Sequence, residues 1–129
     1  MFEEEIFIKA SLFQGLRKMK GDPIILKSGE QISKTRTPGK LFRLMIKSDH
    51  LEAIIAEIDP HTESRWYQHD GEELHYVLEG EIEYDVGNNS YKLSKGEVLW
   101  HKSNVKHRAR NISDKKAKYA TVGTPPTFM

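Results

Sequence analysis

GEELHYVLEGEIEYDVGNNSYKLSKGEVLWHKSNVKHRARN, residues 71–111, is the stretch that decides the fold. It divides into Leu74–Leu78, Glu81–Val86, Ser90–Leu93, Glu97–His101 and His107–Asn111, runs of four to six residues. Their separators are Gly80, Gly87-Asn88-Asn89, Lys95-Gly96 and Ser103-Asn104. Such runs are too short for stable helices, and the separators are residue types that tolerate left-handed backbone or bond their own turn. The pattern continues outward. Ala117–Val122 follows Ser113-Asp114 on one side; on the other lie Leu41–Ile46 after Pro38-Gly39, and Leu51–Ile58 ending at Asp59-Pro60. Still earlier, Ile24–Lys27 and Gln31–Lys34 flank Ser28-Gly29-Glu30 and read as a hairpin. No helices alternate with these strands, so a parallel α/β sheet is excluded. The expectation is an all-β, antiparallel sandwich or closed barrel, with Asn88-Asn89 at a hairpin tip.

The first residues read differently. Phe2, Ile6, Phe13 and Leu16 fall near helical spacing, which predicts a short amphipathic helix over about residues 3–19, weakened by Gly15 and stopped by Gly21-Asp22-Pro23. The expected organisation is an N-terminal segment, 1–22, and one barrel domain, 23–129. A chain of 129 residues suits one domain with a core of its own. It is 37% hydrophobic and 30% charged, with a formal net charge of +1, which gives no general drive towards nucleic acid or anionic lipid. The absence of Cys excludes disulfide scaffolds, thiolate zinc sites, iron–sulfur clusters and thiol nucleophiles. The start, MFEEEIFIKA, is acidic and lacks a continuous apolar stretch, and no window reaches membrane-spanning length. A soluble cytoplasmic protein without nucleic-acid or membrane partners is expected. Phosphate-binding glycine loops, H-E-x-x-H and G-x-S-x-G are all absent.

Chemistry concentrates in His69-Asp70-Gly71-Glu72-Glu73-Leu74-His75. Residues two apart share a face of a strand, so Tyr67 and His69 form one pair, and Glu73 and His75 another. Asp70-Gly71-Glu72 can turn the chain between them. If parity survives that turn, the four converge on the barrel interior, and His107, Ala109 and Asn111 share a face of a later strand. Imidazoles with a carboxylate at a barrel mouth suit Zn²⁺, Mn²⁺, Fe²⁺ or Ni²⁺. Trp66 and Trp100 flank this region and are candidate pocket walls, with ordinary packing as the alternative. Arg108 and Arg110 alternate with His107 and Ala109 and should face solvent.

Residues 61–80 and 96–111 resemble the two motifs of the cupin superfamily. In the first, G-x5-H-x-H-x3-E-x6-G, the positions of His69, Glu73 and Gly80 match, while His61 and Tyr67 stand in place of the opening Gly and the first His. In the second, G-x5-P-x-G-x2-H-x3-N, the positions of Gly96, His107 and Asn111 match, while Lys102 and Asn104 replace the Pro and the second Gly. The phrase from Gly71 to Gly80 is the most specific part, and Val122-Gly123-Thr124-Pro125-Pro126 extends the likeness. Overall, residues 40–126 resemble the small conserved-barrel domain that follows a helix-turn-helix in many bacterial regulators. The resemblance implies a double-stranded β-helix, or jelly-roll barrel, with a pocket at one mouth. It maps the family's metal ligands onto Tyr67, His69, Glu73 and His107. A phenol is a poor divalent-metal ligand, so Tyr67 reads better as pocket wall and His69, Glu73 and His107 as a 2-His-1-carboxylate set. His75 either replaces the missing imidazole, bonds a bound ligand, or is an interior polar group satisfied by a neighbour.

Two functions follow as expectations. One is a small-molecule-binding cupin, with Tyr67, His75, Trp100 and Asn111 contacting the ligand beside a divalent metal on His69, Glu73 and His107. The other is a metal-dependent cupin enzyme, a dioxygenase, isomerase or related catalyst acting on a small polar metabolite. Family habit adds a homodimer.

Overall fold

In the computed structural model the described residues are 5–8 and 21–126. They form eleven strands: β1 (Glu5–Ile8), β2 (Ser33–Thr37), β3 (Lys40–Lys47), β4 (Glu52–Ile58), β5 (Thr62–Glu63), β6 (Glu72–Glu79), β7 (Glu81–Val86), β8 (Asn89–Ser94), β9 (Val98–Lys102), β10 (His107–Asn111) and β11 (Ala117–Thr124). Two antiparallel sheets face each other. One runs β1-β2-β3-β4-β11-β6-β9 and the other β5-β10-β7-β8. The alternation in the sequence explains why they close on one another. Burial alternates strictly along β4, β10 and β11, so every second side chain enters the space between the sheets. Ile58, Val77 and Ile82 are almost wholly enclosed there, each worth about 1.5–3 kcal/mol of hydrophobic stabilisation. Tyr84, Leu93, Ala109, Ala117 and Tyr119 complete this core, and a second group, Ile32, Leu44 and Ile54, meets it through Phe42.

Two expectations are corrected. Glu5–Ile8, inside the span read as helical, is a strand paired with Ser33–Arg36; the other residues of 3–19 lie outside those described. The early hairpin is also displaced. A turn does form at Lys27–Glu30, where the Glu30 carboxylate accepts from the Lys27 amide at 2.6 Å. Its first arm, 24–27, joins no sheet among the described residues, and Ile25 is exposed. Ser33–Thr37 pairs with Lys40–Leu44 instead, because Pro38-Gly39, with Gly39 at φ +75°, turns the chain between them, and Ser33, Thr35 and Thr37 are buried on one face. By contrast, Val86 pairs with Asn89 across Gly87-Asn88, and residues 87–90 are exposed, placing the tip where the turn chemistry puts it.

The outer face of the large sheet ends in an apolar row. Leu74 pairs with Trp100 and Tyr76 with Val98, and all four are exposed. Among the described residues no helix is long and apolar enough to cross a membrane.

Candidate metal centre and cavity

The site begins with Gly71. Its φ is +103°, and a Cβ built there would come within 1.9 Å of the Thr124 carbonyl oxygen. Only glycine lets β6 start this close to the end of β11. The turn is tied across to β9, since the Ser103 amide donates to the Gly71 carbonyl at 2.8 Å and the His69 amide to the Ser103 carbonyl at 3.1 Å. Beyond it, β6 buries Glu73 and His75 and exposes Glu72, Leu74 and Tyr76. His101 enters from β9 opposite Glu73, and His107 from the start of β10, where its backbone forms an isolated bridge with Tyr67.

Four imidazoles therefore surround one carboxylate. Glu73 Oε2 lies 3.1 Å from His69 Nε2 and 3.4 Å from His107 Nε2, and it accepts from the Ser103 hydroxyl at 2.7 Å. Glu73 Oε1 lies 3.2 Å from His75 Nε2 and 3.8 Å from His101 Nε2. Burial pushes the Glu73 carboxyl upward, but hydrogen bonds from His107, His75 and Ser103 outweigh it and hold the group well below the usual carboxylate range. Glu73 is ionised. Burial drives His75 and His101 below the ordinary histidine value. Burial also opposes charge on His107, yet its bonds to Glu73 and to the Val105 carbonyl prevail and raise it.

The outer ring nitrogens divide the site into two parts. His69 Nδ1 faces the Asp70 carbonyl at 3.1 Å and His107 Nδ1 the Val105 carbonyl at 2.7 Å. A carbonyl only accepts, so both Nδ1 atoms carry a proton and both rings direct Nε2 at the anionic Glu73. That arrangement calls for a cation between them, a proton or a metal. Around His75 no such excess exists. His101 Nδ1 donates to the Lys102 carbonyl at 2.9 Å, leaving its Nε2 to accept from His75 Nε2 at 2.9 Å, while the Thr121 hydroxyl donates to His75 Nδ1 at 2.7 Å. This half is a closed hydrogen-bond chain.

The ligating atoms of His69, Glu73 and His107 lie within 4.8 Å of one another, as do those of Glu73, His75 and His101. Ligands at about 2.1 Å from a divalent ion stand about 3.0 Å apart in octahedral and about 3.4 Å apart in tetrahedral coordination. The 3.1 and 3.4 Å separations at Glu73 Oε2 fit that range. Residues present and group fit at His69, Glu73 and His107.

Beside this cluster lies a cavity of about 300 Å³, lined by Phe42, Ile54 and Tyr119 from the large sheet, by Tyr84 and Ala109 from the small one, and by Tyr67. Of the expected ligand contacts, Tyr67 and His75 line it; Trp100 and Asn111 do not. Trp100 sits on the outer face of β9 and donates to Glu72 at 2.8 Å, because parity gives the inward place to its neighbour His101. Asn111 is buried at the end of β10 with its amide committed: Nδ2 donates to the Ile58 and Lys115 carbonyls, and Oδ1 accepts from the Ser113 amide and hydroxyl. It pins the turn after β10. His101 escaped sequence reasoning because Val98, Leu99 and Trp100 are all apolar and hide the alternation. Pairing β9 with β6 opposite Glu73 would have exposed it.

A family model described as "Cupin domain" (Cupin_2) matches residues 54–123. The chain belongs to that family. An uncharacterized protein of Archaeoglobus fulgidus is 33% identical over 64 residues, which are 50% of this chain and 60% of that relative. Among solved structures, KdgF from Halomonas sp. aligns with a TM-score of 0.63 at 19% identity, over 68% of this chain and 80% of that one. An RmlC-like cupin from Shewanella frigidimarina aligns at 0.63 and 20% identity, over 69% and 78%. The Cupin_2 domain of an XRE family transcriptional regulator from Enterobacter cloacae aligns at 0.63 and 15% identity, over 68% and 98%. At these identities the likeness concerns the fold.

Proposed function

We propose that this protein binds a small molecule in the barrel mouth, beside a divalent transition metal held by His69, Glu73 and His107. One observation carries the reading: two imidazoles, each fixed by a backbone carbonyl at Nδ1, aim Nε2 at a buried ionised carboxylate. When bound, such an ion supplies Lewis acidity and open positions for a ligand oxygen or nitrogen. Tyr67, stacked on His107 with centroids 6.2 Å apart, then forms wall rather than ligand. Zinc, iron, manganese and nickel all suit this donor set.

The proposal has a pH signature. His107 is the ligand that holds a proton most tightly, its value being raised above the ordinary 6.5, whereas Glu73 stays ionised throughout the neutral range. Metal competes with that proton, so affinity falls as pH drops, beginning above pH 6.5 rather than below it. Competition titration of zinc between about pH 5.5 and 8.5 measures this. In His107→Ala stoichiometric binding is lost, with the barrel still folded by circular dichroism; binding that survives, with the same pH profile, rejects the assignment.

A second reading, a metal-dependent enzyme such as a dioxygenase or isomerase, is favoured by the chain Thr121–His75–His101 beside Glu73. It provides a route for moving one proton between His75, which lines the cavity, and His101 behind it. Turnover of a bound small molecule that is lost in His75→Gln, with metal content intact, separates catalysis from binding. For self-association, the outer row Leu74, Tyr76, Val98 and Trp100 supports a dimer through the β6–β9 face. Trp100→Glu is expected to convert a dimer to monomer in sedimentation, and an unchanged mass places the contact elsewhere.

A further inference from the structure

Two donors in the cavity are left over by the metal-binding set. The first is the Tyr84 hydroxyl. Tyr84 is 2% exposed and lines the cavity, stacked on His75 at 4.6 Å and edge-on to Tyr119 at 5.7 Å, and its hydroxyl has no hydrogen-bond partner among the described residues. A buried hydroxyl in that position is costly unless something supplies an acceptor. Burial holds the phenol well above its ordinary value, so at neutral pH it offers a proton rather than accepting one.

The second is the Arg65 guanidinium at the mouth. It lies over the Tyr67 ring at 5.0 Å, and Tyr67 in turn stacks on His107, so the cation stands at the end of a stack that starts at the metal-binding residues. No carboxylate among the described residues pairs with Arg65. The guanidinium of Arg108, the other arginine that borders the cavity, is held by Asp85 at 2.8 Å and Glu63 at 3.1 Å. Among the described residues Glu73 is the one carboxylate lining the cavity, and it faces the imidazoles and Ser103.

Apart from Glu73, whose charge faces the imidazoles, the cavity presents a guanidinium without a carboxylate partner at its mouth and a hydroxyl without an acceptor in its wall. A cationic ligand would meet Arg65 at the mouth, and a wholly apolar one would leave Tyr84 unsatisfied. We propose that the ligand is a small organic acid, its carboxylate drawn by Arg65 and a second oxygen accepting from the Tyr84 hydroxyl. This rests on the reading of the barrel mouth as the binding site and adds the chemical class. The cavity volume of about 300 Å³ limits the ligand to metabolite size.

The probes are short 2-oxo and 2-hydroxy monocarboxylates, each paired with its primary amide. They are titrated by two-dimensional NMR into the wild-type chain, Arg65→Gln and Tyr84→Phe, each with and without zinc. At least one acid should bind the wild type about tenfold more tightly than its amide, as expected for a charge-assisted bond. Arg65→Gln should erase that preference, and Tyr84→Phe should weaken the acid about tenfold while keeping it preferred. Arg65 is exposed, so its variant tests the claim even if Tyr84→Phe folds poorly. The proposal is overturned if no acid shifts cavity resonances, if acids and amides bind alike, or if Arg65→Gln keeps the preference. Zinc content measured on the same samples separates the readings. Acid preference without zinc binding removes the metal and keeps the acid; full zinc without acid preference does the reverse.

Discussion

Glu73→Gln is expected to lower divalent-metal affinity by about 10²- to 10⁴-fold, the effect of losing a buried charged partner worth about 3–5 kcal/mol. Glu73 is the hub of the site: both its oxygens are engaged, and four Nε2 atoms lie within 3.8 Å of them. Gln keeps the volume and the Ser103 contact on its carbonyl oxygen but replaces the anion by a dipole. All four imidazoles then face a neutral group, and a divalent ion meets only neutral donors. Fold stability should change far less than affinity, because the uncharged side chain is also cheaper to bury. Isothermal titration with zinc, alongside thermal unfolding of the metal-free protein, reads both quantities. A variant that binds metal as tightly as the wild type would mean that Glu73 serves the hydrogen-bond chain alone.

The second large effect is at Gly71. Gly71→Ala forces a side chain into φ +103° and into the Thr124 carbonyl and the Pro125 ring. Backbone strain alone costs about 1–3 kcal/mol, and relief of the contact needs β6 and β11 to separate at their ends. Melting should drop by at least about 4–12 °C. Glu73 follows two residues later and His69 precedes by two, so metal affinity should fall as well. Differential scanning calorimetry with a zinc titration measures the pair; a variant that melts like the wild type would show that this turn adapts without strain.

Sequence legibility tracked how much one residue type could settle alone. From β6 to β11 the turns are marked by Gly80, Gly87 and Gly96, each at positive φ, and the strands fell where those glycines put them. His69, Glu73 and His107 were legible because a fixed spacing and strand parity pointed to the same three side chains, and the structure brings them together. Near the N-terminus the signals are local and the pairing is not. Ser28-Gly29-Glu30 does turn, yet which strand Ser33–Thr37 joins depends on β3, several residues on. The sequence names Trp100 and leaves His101 without a role for a related reason. On an edge strand whose outer face is also apolar, alternation gives no parity, and only the register Glu73↔His101 assigns it. Tyr84 carried no signal at all, since an inward tyrosine on β7 looks like any core aromatic until its hydroxyl proves to lack a partner. Asn111 matched its motif position and still proved structural, because spacing places a residue without saying which atoms its amide will meet.

A metal centre at His69, Glu73 and His107 requires that the chain hold metal. Elemental analysis of the chain purified without added metal or chelator, then re-measured after incubation with stoichiometric zinc, manganese, iron(II) or nickel, tests it most directly. The wild type should hold about one transition-metal ion per chain in at least one condition, and the double variant His69→Ala, His107→Ala none. A wild-type chain that takes up no ion under any of them, or a double variant that keeps a full equivalent, would contradict the assignment of His69, Glu73 and His107 as a metal centre.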